Sequence, residues 1–234
     1  MTQFIAQKDF FDLFPDAHLG ILLVKDIPSS DVSPQEVKDL LEEANEEAKK
    51  FLVEDQLSQN PVVAVWREAY KKFKTKKGAR CSIEALLKRV QKGNPVGSIL
   101  PLVDIYNATS LKFGLPCGAE DIEQFQGDLQ LTVTEGGDPF GGIGDEGEET
   151  LPGELCYKDD AGAVCRCFNW RDSERTMITE TTKNAFMIFE LTDGERLEDL
   201  KAALDFAKEN LEKYLGATVT SHILTKEENS LALS

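Results

Sequence analysis

Histidine is almost missing from this chain. His18 and His222 are the only two among 234 residues, each in or beside an apolar stretch where a core or surface imidazole is the ordinary role. No Ser-His-Asp or Cys-His arrangement can be assembled around them, so triad-type nucleophilic catalysis has no support. A metal-ligand pattern is absent too: Cys81, Cys117, Cys156, Cys165 and Cys167 are odd in number and follow no such spacing. They read as reduced thiols. Cys156 and Cys165 are the one pair that a hairpin would bring opposite each other, and neither a metal nor another cofactor is expected. No apolar run approaches the length of a membrane span, and the start MTQFIAQKDFFDLF lacks a basic segment leading into one. A cytoplasmic address without a membrane partner follows as the expectation.

Positive charge is scarce. Against 42 acidic side chains stand 26 Lys and Arg, a formal charge of −16, so the mean field repels polyanions and argues against DNA or non-specific nucleic-acid binding. A local basic site remains compatible, because beyond a Debye length of roughly 8 Å charges are largely screened. A phosphate-cradling loop is missing as well. GGDPFGGIGDEGEETLPGE is glycine-rich, but no Walker lysine follows it, and Asp138, Asp145, Glu146, Glu148 and Glu149 would repel phosphate. Its acids also lack the alternating spacing of a calcium loop. It reads as a surface loop or as a flap over a pocket.

What is present is the material of an α+β domain, with 41% apolar content and room for one sizeable unit or two small ones sharing a core. A buried strand is expected over 17–27. A helix should follow with Ser33 as cap, Pro34 first and Glu36 closing a capping box, then a second helix from Asn60-Pro61, a third capped by Ser82, and a last one opening at Thr192. GDLQLTVTE alternates as a half-buried strand, and ELCYK and AVCRCFNW form strands about the turn DDAG. Residues 185–191 read as a buried strand, ATVTSHIL as a final one, and the tail KEENSLALS as partly disordered. Residues 1–98 are expected to pack as a strand and helices on a core formed by 99–234, the two making one compact unit.

The most informative stretch is ILPLVDIYNATSLKFGLPCGAED, residues 99–121. Leu102, Ile105, Tyr106 and Phe113 fall at helical spacing, Gly114 sits where a left-handed cap belongs, and Pro116 forbids continuation. Asp104, Asn107 and Ser110 recur every three residues, which makes one polar row. Such a row is either a solvated face or part of a site. A second cluster, KKFKTKKGAR, gathers Lys71, Lys72, Lys74, Lys76, Lys77 and Arg80. It is either an exposed loop compensating a helix dipole or a patch that contacts phosphates without reading sequence.

The run VDIYNATSLKFGLP, continued to Ala119 and Asp121, resembles the signature V-D-V-T-N-Y followed by G-Q-P-x-H-A-F-D of the B3/B4 domain in the β subunit of bacterial phenylalanyl-tRNA synthetase. Val103, Asp104, Asn107, Gly114, Pro116, Ala119 and Asp121 match it in place. The chain is similar to free-standing B3/B4 proteins from about Phe14 onward. The resemblance implies a B3/B4-like fold of mixed sheets packed with helices, tRNA as partner, and hydrolysis of the ester joining a wrong amino acid to its tRNA. Such an ester is already activated, so a positioned water and donors for the oxyanion suffice.

On that footing Asn107, Ser110, Glu154, Asn169 and Arg171 are the candidates for orienting the ester and its water. Asp104 is assigned to stabilising the helix or turn. Gly118, Asp121 and Asp172 would line the substrate pocket, and Lys74, Lys76, Lys77 and Arg80 would contact tRNA. Arg171 has a second reading, a salt bridge with Asp172 or Glu174. Two departures stand out. The family's pocket histidine falls at Gly118 and its glutamate near Arg171, so the partners of a tyrosine hydroxyl are gone and a different amino acid is implied. Alternatives are a non-catalytic tRNA- or protein-binding module, and hydrolysis of a small ester without RNA.

Overall fold

The computed structural model describes residues 1–142 and 147–234; Asp145 and Glu146, read above as phosphate-repelling, lie outside the described residues. In chain order the elements are β1 (Gln3–Ala6), α1 (Lys8–Leu13), β2 (His18–Lys25), α2 (Gln35–Glu47), α3 (Pro61–Ala69), α4 (Ser82–Gln91), α5 (Pro101–Phe113), β3 (Cys117–Asp121), β4 (Leu129–Val133), β5 (Pro139–Phe140), β6 (Glu148–Glu149), β7 (Leu155–Asp159), β8 (Gly162–Arg166), β9 (Arg171–Asp172), β10 (Ala185–Leu191), α6 (Leu197–Leu215), β11 (Thr218–Leu224) and β12 (Ser230–Ala232). The architecture is α+β. Six strands run in the order β12-β1-β4-β7-β8-β9 and four in the order β11-β2-β10-β3, beside a β5-β6 ribbon. Among the described strands every pairing is antiparallel except β1 with β4. Both sheets mix strands from before and after residue 98.

Strand β10 shows how the layers form. Its sequence AFMIFEL is buried at every position, as a strand covered on both faces must be. Ala185, Met187, Phe189 and Leu191 join α6 and Leu22 in one cluster, while Phe186 and Ile188 join Phe4, Leu131, Leu155 and Tyr157 in another. The period of two thus turns alternate residues toward the helices and toward the six-stranded sheet. By that count Glu190 belongs to the inter-sheet side. Ring contacts close the gap there: Phe4 lies 5.1 Å from Phe186, and Phe168 is met by Phe10 at 5.5 Å and Trp66 at 5.4 Å.

The central helix α5 stops as its sequence demands, with Gly114 left-handed at φ 63°. A Cβ there would lie 2.9 Å from the Phe51 ring. Gly114→Ala should therefore lower stability by about 1–2 kcal/mol, from the left-handed backbone alone, and any further loss reports the displaced ring. A drop in urea midpoint at unchanged slope is the readout.

The solvated-face reading of the α5 polar row is corrected. Asp104, Asn107 and Ser110 are all buried, because α5 is enclosed by α2, α4, α6 and β3. Asp104 accepts bonds from the Ser33 and Ser98 hydroxyls and, at 2.7 Å, from the Ile99 amide. Ser33 is thereby withdrawn from capping, so α2 starts at Gln35 without a side-chain cap. Ser82 is the first residue of α4 and caps nothing, and α6 begins at Leu197 rather than Thr192. The tail is ordered where disorder was expected: β12 pairs with β1, and Leu233 is buried. All five cysteines are free and buried. Tyr157, not Cys156, faces Cys165. No described helix is long and apolar enough to cross a membrane.

Candidate functional site

Between the two sheets lies a cavity of about 50 Å³. Strand β3 contributes Cys117, Gly118 and Glu120, β10 contributes Phe186, Ile188 and Glu190, and Tyr157, Cys165, Asp172 and the turn Phe168–Trp170 face them from the other sheet, with Ser82 at the start of α4. The turn is strained. Cys167 and Phe168 have φ of 49° and 68°, and the Asn169 amide bonds back to the Cys167 carbonyl at 2.9 Å, a γ-turn of the rarer positive-φ kind. Two non-glycine residues in that region cost of order 1–3 kcal/mol each. What holds them is the Phe168 ring, fully buried in the aromatic cluster, and the result is that Asn169 points at Glu190.

Glu190 is 1% exposed. Burial pushes its carboxyl up to about 8, against the opposing pull of bonds from Asn169 and Tyr157. The Tyr157 hydroxyl donates to Oε1 at 2.8 Å and Asn169 Nδ2 to Oε2 at 3.1 Å. The Tyr70 hydroxyl donates to Asn169 Oδ1 at 2.7 Å, fixing which way the amide faces. Across the cavity Glu120 and Asp172 sit together. Burial, then the neighbouring acid, drives Glu120 well above the usual carboxylate range, and burial raises Asp172 against bonds with Glu120 and Cys165. Two acids hydrogen-bonded to each other titrate as a pair sharing a proton. Neither the Glu120 Oε2 atom nor the buried Ser82 hydroxyl has a hydrogen-bond partner among the described residues.

Of the residues expected from the sequence, Asn169, Gly118 and Asp172 meet in this cavity; the others lie elsewhere. Ser110 donates to the Leu115 carbonyl at 2.5 Å, closing the turn after α5. Asn107 is buried on α5 and does not line the cavity. Asp121 accepts from Thr182 and from the Glu123 amide, both at 3.0 Å. Glu154 is fully buried and saturated: Arg166 Nε and Nη2 donate to it at 3.0 and 2.8 Å, and the Cys167 and Leu151 amides at 3.1 and 2.9 Å. Arg171 pairs with Arg166 across β8 and β9 while Asp172 pairs with Cys165. Strand alternation thus sends Asp172 into the cavity and Arg171 out, to lie 5.8 Å from the Trp170 ring.

The basic loop is only partly free. Lys74, Lys77 and Arg80 are exposed, whereas Lys76 pairs with Glu148 and Arg80 reaches Glu84 at 3.8 Å. Neither histidine lines the cavity, and no metal-binding cluster occurs among the described residues. Sequence reasoning missed Glu120 and Glu190. A signal was there for the second, the one acid within the apolar run AFMIFEL. Gly118 gives the cavity its width, since a Cβ there would meet nothing within 4 Å.

No curated protein matches the chain. Among solved structures it is similar to an N-terminal fragment of the phenylalanyl-tRNA synthetase beta-subunit from Pyrococcus horikoshii, at 15% identity and a TM-score of 0.49, over 95% of this chain and 54% of that one. It thus spans about half the length of that fragment. The sequence profile of the B3/4 domain matches residues 65–216, which is more than half of the chain. On that match the chain belongs to the B3/4 domain family.

Proposed function

We propose that this protein hydrolyses, in trans and in the cytoplasm, the ester bond of a mischarged aminoacyl-tRNA, with the aminoacyl group held in the inter-sheet cavity. The observation that carries the reading is Glu190, a buried carboxyl lining the cavity and oriented by bonds from Tyr157 and Asn169, whose proton burial holds up to about pH 8, within the range a general base can work in. Water adds to the ester carbonyl as Glu190 takes its proton. Collapse of the tetrahedral species expels the ribose hydroxyl, which takes that proton back. The unpartnered Ser82 hydroxyl is a donor available to the oxyanion, and Asn169 is the positioning residue for the base. Membership of the B3/4 family supports this reading, because the synthetase domain that the chain resembles acts on the same bond. Lys74, Lys77 and Arg80 are the proposed tRNA contacts, with Lys76 already committed to Glu148.

Incubation with a panel of mischarged tRNAs tests this. At least one ester should be lost faster than its spontaneous rate, and Glu190→Gln should slow that loss at least tenfold. Reversing Lys74, Lys77 and Arg80 to Glu should raise KM and flatten its salt dependence, since phosphate contacts release counterions. No turnover on any pair would leave a binding module that keeps the fold.

A further inference from the structure

We propose that the cavity admits only the smallest aminoacyl groups, glycyl and alanyl, and excludes branched and aromatic side chains by size. The inference rests on the deacylase reading and adds the substrate class. About 50 Å³, at roughly 10–15 Å³ for each water-sized centre, holds about three to five heavy atoms. An alanyl group uses that allowance in full, with its amino nitrogen, its α-carbon and methyl, and its carbonyl. The ribose then stays outside the mouth. Valine adds two more carbons and phenylalanine a whole ring.

The walls are fixed. Phe168 is backed by Phe10 at 5.5 Å and Trp66 at 5.4 Å, Phe186 by Phe4 at 5.1 Å, and Tyr157 by Phe4 at 6.0 Å. All of these rings are buried, and a close-packed interior leaves a wall ring nowhere to retreat. The Tyr157 hydroxyl is tied down besides, by its bond to Glu190. One position sets the remaining room. Gly118 pairs with Ile188 across β3 and β10, so a side chain there would point, like Ile188, to the inter-sheet side. A Cβ at Gly118 meets nothing within 4 Å, and its backbone lies outside the left-handed region. Alanine therefore fits the strand and takes one methyl's worth of space from the cavity.

Two arms test this on the intact protein. Calorimetry with 3′-aminoacylamino-3′-deoxyadenosines, whose amide replaces the ester and resists hydrolysis, reads recognition alone. The glycyl and alanyl members should bind at least tenfold tighter than the valyl and phenylalanyl ones. Gly118→Ala should weaken the alanyl member at least tenfold and spare the glycyl one, and Gly118→Val should weaken both. The second arm charges one tRNA in turn with the same four amino acids and compares each loss with its spontaneous rate, where the same order is expected. Equal binding of all four, tighter binding of the larger members, or no binding at millimolar concentration overturns the inference on the unaltered protein. Unchanged alanyl binding in folded Gly118→Ala overturns it as well. Small-selective binding without ester hydrolysis keeps the inference and removes the deacylase reading. Hydrolysis of the valyl or phenylalanyl ester as fast as the alanyl one keeps the deacylase reading and overturns the inference.

Discussion

Glu154→Leu is expected to destabilise the protein by about 3–5 kcal/mol, the cost of leaving one partner of a buried ion pair alone. Arg166 is 1% exposed and Glu154 fully buried. Two guanidinium bonds and two backbone amides converge on that one carboxylate. The leucine fills a similar volume but accepts nothing, so a guanidinium and two amides lose their acceptor together. Glu148 softens the loss, because it takes Arg166 Nη1 at 2.9 Å, though it also holds Lys76. In the double variant Glu154→Leu/Arg166→Met no orphan charge remains, and much of the lost stability should return. Urea unfolding followed through Trp66 and Trp170 reads both. A single-variant loss under about 1 kcal/mol would show that the network is dispensable. Ester hydrolysis per folded molecule separates this structural role from the chemical one expected of Glu154 in the sequence.

The second large effect is on stability against pH. Folded Glu190 keeps its proton up to about pH 8, whereas an unfolded glutamate loses it near 4.5. Between those values the folded state binds more protons, so the contribution is complete below 4.5 and is lost as pH rises through 8. Burial raises Glu120 and Asp172 as well, and both add to the slope. A proton held by the folded state alone is worth about 1.4 kcal/mol for each step of one in pH. With allowance for relaxation around buried charge, unfolding free energy should fall by roughly 2–4 kcal/mol from about pH 5 to about pH 8. Repulsion within a chain of charge −16 slopes the same way. Glu190→Gln distinguishes them, because it removes the carboxyl's share and leaves the general repulsion. An unchanged slope in that variant would place the titration elsewhere.

The sequence made some features legible because local chemistry alone decides them. The end of α5 at Gly114, the alternation of β4 and the buried run of β10 all follow from the residues in place. Partners distant in sequence decided the rest. Ser33 has a cap residue's chemistry, but its hydroxyl is taken by Asp104, 71 residues away. Asn107 and Ser110 read as a polar face only while the helices around α5 are unknown. Asn169, Arg171 and Asp172 read as one cluster until strand pairing puts Arg171 on the opposite face from Asp172. The cavity itself needs β3 and β10 registered from Cys117 to Asp121 and the six-stranded sheet laid over them, which no short window of sequence contains.

The placing of β1 bears on when this chain folds during synthesis. Its four residues lie between β4, more than a hundred residues later, and β12 at residues 230–232. Contacts so far apart in the chain close slowly, since their entropy must be lost before they form. On the ribosome β1 emerges long before β4, and β12, its outer partner, emerges later still. Until then that edge has bare amides and carbonyls, the kind of surface to which chaperones and neighbouring nascent chains add strands.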